Sequence, residues 1–110
     1  MHMNRYQALA ARTINPNHDN ATMLAHASYG LCSEAGEVAG LFQKEMQGHK
    51  ISEEHLKKES GDCLWIIAEI CTALGWTLEE IAQMNIEKLM ARYPEGFETD
   101  KSLHRKEGDI

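Results

Sequence analysis

An all-α fold is what this sequence predicts, and three observations predict it. Apolar residues recur at the 3.6-residue period along most of the chain. Its two prolines, Pro16 and Pro94, fall at segment ends and not inside segments. No stretch shows the two-residue alternation of a half-buried strand. Four helices with short connections imply a four-helix-bundle-type domain.

The first helix is predicted over residues 3–13, with Tyr6, Leu9, Ala10, Thr13 and Ile14 on its apolar face. Asn15-Pro16-Asn17 ends it, because proline disfavours helix in the residue before it. A long second helix covers residues 20–47, with Leu24, Ala27, Ser28, Leu31, Ala35, Val38, Leu41 and Phe42 as its stripe and Gly48 as its stop. Ser52 is an N-cap for a third helix, followed by acids that suit a helix N-terminus. Leu56, Cys63, Ile66, Ile67, Ile70 and Leu74 line that helix, and Gly75 terminates it. Thr77-Leu78-Glu79-Glu80 is a capping box that opens the fourth helix. Ile81, Met84, Ile86, Leu89 and Met90 supply its apolar surface. Residues 95–110 are polar and read as irregular.

Length and charge bound the function. At 110 residues the chain is one domain, small enough that oligomerisation would help its stability. A net charge of −6 and a pI of about 5.4 argue against a nucleic-acid polymer as partner, which needs a basic stripe. Free nucleotides stay open, since a bound cation reverses local charge. Cys32, Cys63 and Cys71 are an odd number without metal-type spacing, and read as buried, reduced thiols of a cytoplasmic protein. The first twenty residues lack the apolar core of a signal peptide, and the longest strongly apolar run, Cys63 to Ala68, is too short for a membrane span.

The chemistry sits in four acids. Glu34-Ala35-Gly36-Glu37 and, after 21 intervening residues, Glu59-Ser60-Gly61-Asp62 each place two carboxylates at i, i+3 on one helical face. Acids on helices are ordinarily solvated surface. Here Glu34 lies three residues after Leu31 and four before Val38, and Glu59 lies three after Leu56 and four before Cys63, so both flank the core stripes. If the two helices pack antiparallel, the four acids converge, and partly buried carboxylates need a partner. Oxygen-only donors suit Mg²⁺ or, as a substitute, Mn²⁺, and such a site points to phosphate chemistry. Gly36, Gly40 and Gly61 inside these helices mean close helix packing or room for a ligand. A di-iron carboxylate site is the nearest rival, but it wants Glu-x-x-His on two helices, and neither Glu34 nor Glu59 has His at +3. The six histidines are scattered, and His26 alone invites attention.

Gly30-Leu31-Cys32-Ser33-Glu34-Ala35-Gly36-Glu37-Val38, followed by Glu59-Ser60-Gly61-Asp62-Cys63-Leu64-Trp65, resembles the MazG-like nucleoside triphosphate pyrophosphohydrolases. This all-α NTP pyrophosphatase superfamily also includes dimeric dUTPases and dCTP pyrophosphatases. Asn85-Ile86-Glu87-Lys88-Leu89, then Arg92-Tyr93-Pro94 and Phe97, fits the family's second signature. The resemblance covers residues 6–97, and implies a domain over 1–97 with a polar tail over 98–110. It implies Mg²⁺-dependent cleavage of a nucleoside triphosphate to the monophosphate and pyrophosphate. It also implies Glu34, Glu37, Glu59 and Asp62 as metal ligands, with Glu34 or Glu37 also handling the attacking water. Asn85 and Lys88, with Arg92 and Tyr93, match substrate-contacting positions. A homodimer or homotetramer is implied, with no membrane partner. The competing expectation is a non-catalytic helical interaction module stabilised by its metal. Which base is preferred is not readable from the chain. Trp65, Trp76, Phe42 and Tyr29 are all candidate stackers, and core packing is the ordinary role for such residues.

Overall fold

A computed structural model describes residues 1–110, and every regular element in it is helical. The order is α1 (Met3–Ala11), α2 (Asn20–Met46), α3 (Glu53–Leu74), α4 (Leu78–Arg92) and α5 (Thr99–Leu103). The boundaries follow local chemistry. Asp19 caps α2 by accepting from the Thr22 amide at 2.7 Å, and Ser52 caps α3 by accepting from the His55 amide at 3.2 Å. Gly48 and Gly75 leave their helices at φ 96° and 72°, left-handed values that cost glycine nothing.

The chain forms two compact units, Met1–Leu78 and Glu79–Ile110. In the first, α2 and α3 form an antiparallel hairpin. His26 meets Glu69, Gly30 meets Ile66 and Glu34 meets Asp62, so partners on α3 step backwards as α2 advances. α1 lies across α3, where Gln7 donates to the Trp76 carbonyl at 2.9 Å and Trp65 Nε1 donates to Thr13 Oγ1 at 2.8 Å. The core is small: Met23, Ala27, Leu41, Ile66, Ala68, Cys71, Ala73 and Leu78 are its buried apolar residues. At Gly30 a Cβ would stand 2.6 Å from Ile66 Cδ1, so the absence of a side chain there makes room for this buried isoleucine.

Several expectations need correction. The α2 stripe is rotated: Met23 is buried, whereas Leu31, Ser28, Ala35 and Phe42 are exposed. Leu74 at the end of α3 is also exposed. Gly36, Gly40 and Gly61 have nothing within 4 Å of a built Cβ, so none is a close-packing site in this chain. Cys71 is buried and Cys63 half-buried, but Cys32 is exposed. Residues after Phe97 are not wholly irregular, because they form α5. No single helix is long and apolar enough to cross a membrane.

The second unit carries α4, α5 and the C-terminal segment. Arg92 Nε and Nη2 donate to the two carboxylate oxygens of Asp109, at 2.8 Å each. Tyr93 packs beside Phe97 with ring centroids 5.3 Å apart.

Candidate metal centre

Two features of the sequence build this site. The i, i+3 spacing puts Glu59 and Asp62 on one face of α3. The Gly30–Ile66 contact, one turn before Glu34, holds α2 close enough for Glu34 to join them. Glu34, Glu59 and Asp62 each bring one carboxylate oxygen within 4.8 Å of the others, and all three residues are half-buried. Glu37 is exposed and stands outside this trio. Three of the four acids expected to converge therefore do so, and Glu37 contributes charge from one turn away.

Electrostatics record the crowding. Burial pushes the Glu34 carboxyl above the ordinary carboxylate range, and the negative charges of Asp62, Glu59 and Glu37 push it further. The Tyr6 phenol beside the trio is raised first by burial and then by Asp62. A cation among these oxygens would relieve the repulsion that Glu34 records. Hard carboxylate oxygens without nitrogen or sulfur in the set fit Mg²⁺ or Mn²⁺. His55 Nε2 lies 3.0 Å from Glu59 Oε1, one helical turn away, and orients that carboxylate from behind. Sequence reading missed this support, although His-x-x-x-Glu spacing on a helix was its signal.

An open cleft of about 660 Å³ adjoins the trio, with Tyr6, Leu9, Lys58, Gly61, Asp62 and Trp65 among its walls. Space above Gly61 is part of that cleft, which favours the ligand-room reading of this glycine.

Asn85, Lys88, Arg92 and Tyr93 all lie in the second unit. Asn85 and Lys88 are exposed on α4. Arg92 is 9% exposed along its side chain, and its guanidinium is held by Asp109 while standing 5.8 Å from the Tyr93 ring centroid. Asp109 is correspondingly held below the usual aspartate range, first by the Arg92 hydrogen bonds and then by the charges of Arg92, Arg105 and Lys88, against the opposing pull of burial. Arg92, Lys101, Arg105, Lys106 and His104 surround a small cavity of about 140 Å³ in this unit.

Glu69 went unread in the sequence. It is 3% exposed, the one buried charged residue, and faces His26 across the hairpin with Nδ1 2.9 Å from Oε1 and 3.0 Å from Oε2. A lone acid inside the apolar segment Ile66-Ile67-Ala68-Glu69-Ile70-Cys71 was the available signal.

The chain is an all-helical protein whose hairpin gathers carboxylates into a cluster that could hold a cation. Comparison narrows the class. Residues 22–97 match the model of the MazG nucleotide pyrophosphohydrolase domain, and the chain belongs to that family. It is also similar to the Gene 37 protein of Mycobacterium phage L5, 32% identical over 105 residues that cover 87% of this chain and 92% of the phage protein. No solved structure matches the chain significantly.

Proposed function

We propose that the protein is a Mg²⁺-dependent pyrophosphohydrolase that cleaves (d)NTPs between the α and β phosphates, releasing (d)NMP and pyrophosphate. The observation that carries this reading is the convergence of Glu34, Glu59 and Asp62 beside an open cleft, in a chain of the MazG family. These three carboxylates would hold the cation, with Glu37 as a further ligand. A bound Mg²⁺ neutralises phosphate charge and aligns an in-line displacement by water. Glu34 or Glu37 orients the water and accepts its proton. In the second unit, Lys88 is an exposed cation suited to phosphate, and Asn85 offers an amide one helical turn away on the same face. Arg92 and Tyr93 complete the substrate-contacting set.

The same reading makes the protein a cytoplasmic nucleotide-pool or house-cleaning enzyme. It also makes it a homodimer or homotetramer. Tyr29 (77% exposed), Phe42 (47%) and Met46 (90%) on α2 are apolar surface that a second copy would cover. Light scattering on the purified protein measures the assembly directly, and a strict monomer removes that part of the proposal.

The decisive experiment incubates the protein with canonical and modified (d)NTPs plus Mg²⁺ and separates the products. Monophosphate with pyrophosphate is expected. Orthophosphate alone sinks the reading. So does thermal stabilisation by Mg²⁺ with no turnover of any nucleotide, which is the signature of a metal-stabilised interaction module.

A further inference from the structure

The His26–Glu69 pair lies on a cavity that the acidic site does not use. Thr13, Asn15, His18, His26, Trp65 and Glu69 line it, and its volume is about 210 Å³. That is far more than the roughly 30 Å³ of one water and suits a planar ring. Its walls are fixed. Trp65 Nε1 is tied to Thr13 Oγ1 at 2.8 Å, and the Trp65 ring meets His26 edge-on, with centroids 6.5 Å apart and 76° between planes. His18 stands beyond, its ring centroid 6.1 Å from that of His26.

Its hydrogen-bonding capacity is lopsided. Thr13 Oγ1 donates to the Ala10 carbonyl at 2.7 Å and accepts from Trp65, so its proton is committed. Asn15 Oδ1 already accepts from the Asn17 amide at 3.0 Å, so what Asn15 has left to offer is its Nδ2 amide donor. The two carboxyl oxygens of Glu69 have lone pairs beyond those that face His26. His26 Nδ1 is the ring nitrogen that faces Glu69, which leaves Nε2 as the ring nitrogen free to meet a ligand. The Glu69 side of the cavity is its acceptor side, and it calls for a ligand edge that carries N–H donors.

Position supplies the rest. Glu69 is seven residues beyond Asp62 on α3, about 10 Å at the helical rise, with Trp65 between them. That span is the length of a ribose with its base. We propose that this cavity receives the nucleobase of the substrate. It selects bases that present an exocyclic amino group (cytosine, adenine, guanine) over uracil and thymine, whose carbonyls face the same acceptors. His26 reads the base edge, and Glu69 reads it and positions His26. The proposal rests on the acidic trio being the phosphate end of a nucleotide site.

The test has two arms. In the first, the indole Nε1–H resonance of Trp65 is followed while cytidine, adenosine, guanosine, uridine or thymidine is added without metal. Amino-bearing nucleosides are expected to shift it, with uridine and thymidine weaker by about tenfold or more, the scale of a hydrogen bond to a charged group. In the second, kcat/KM is measured for CTP, ATP and GTP against UTP and dTTP, in the wild type and in Glu69→Gln. A glutamine both donates and accepts, so the amino-to-carbonyl ratio is expected to collapse by about tenfold, and a ratio is blind to losses common to all substrates. His26→Gln, on a half-exposed side chain, provides the same readout if Glu69→Gln does not fold. No response of Trp65 to any nucleoside overturns the pocket. Equal use of UTP and CTP, or a folded Glu69→Gln with the wild-type ratio, does the same. Turnover without base preference leaves the pyrophosphohydrolase reading standing and removes this one. Selective nucleoside binding without turnover supports the pocket and removes the other.

Discussion

Gly30 and Ile66 confront each other across α2 and α3 so closely that a side chain at position 30 would require Ile66 to move. A methyl there would meet Ile66 Cδ1 at 2.6 Å and Cγ1 at 3.3 Å. Glu34 sits one turn further along α2, so this contact also sets whether its carboxylate reaches Glu59 and Asp62.

Gly30→Ala should therefore destabilise the fold by about 1 kcal/mol, because overpacking against a fully buried isoleucine outweighs the helix propensity gained. Ile66→Val alone should cost about 1 kcal/mol. Together they should cost less than the sum, since valine makes room for the new methyl. Urea unfolding of the four proteins gives the coupling, and strict additivity would show that the two residues do not confront each other.

Glu34→Gln removes the acid whose ionisation the cluster most resists. Its carboxyl is raised in the fold, so the contribution to apo stability is present below the ordinary carboxylate range and is lost as pH rises from there through the raised folded-state value. At about pH 7 the variant should melt higher than wild type without metal, yet gain nothing from Mg²⁺. Pyrophosphate release should fall at least ~100-fold, beyond what losing an outer-shell partner costs. Differential scanning fluorimetry with and without Mg²⁺ checks both signs.

Glu37→Gln should separate two roles. Glu37 lies outside the trio, so most of the Mg²⁺-induced thermal shift should survive its loss. If it handles the attacking water, turnover should still drop by about 100-fold or more, the usual worth of a general base. A variant that keeps wild-type kcat would take Glu37 out of the reaction.

Arg92 and Asp109 give a pH-dependent hold on the C-terminal segment. Asp109 is depressed in the fold, so its contribution is present above the ordinary aspartate range and is lost as pH falls through its lower folded-state value. Amide exchange in α5 and residues 104–110 should stay slow near neutral pH and accelerate below about pH 4. Asp109→Asn should show fast exchange at every pH. Unchanged protection in that variant would mean the ion pair does not order the segment.

Helix limits were legible because they depend on neighbours in sequence: Ser52, Gly48 and Gly75 act within one turn of where they stand. The faces of α2 were less so. Leu31 and Phe42 keep the helical period as faithfully as Ala27 and Leu41, and nothing local distinguishes a face turned to the core from one turned outward. The acidic trio could be read because spacing and hairpin geometry both act on Glu34, Glu59 and Asp62. Glu37 could not be placed, since which of two acids one turn apart meets α3 depends on the hairpin's rotation. Glu69 stayed hidden because its partner His26 is 43 residues away. The hold of Asp109 on Arg92 likewise joins residues that no period relates.

Gln7 secures the end of α3 from a distant part of the chain. Its amide donates to the Trp76 carbonyl at 2.9 Å and accepts from the Leu78 amide at 2.6 Å, so one side chain clasps both sides of the turn that follows Gly75. Those partners lie about seventy residues downstream, whereas α2 and α3 are joined by a short loop. Closing the longer loop costs more chain entropy, so the hairpin should form first and α1 should dock last. The last element to arrive is also the natural first to leave. Since Thr13 at the end of α1 holds the Trp65 ring, fraying of this helix would open the wall of the Glu69 cavity, and residues 3–11 would be the gate through which a ring enters it.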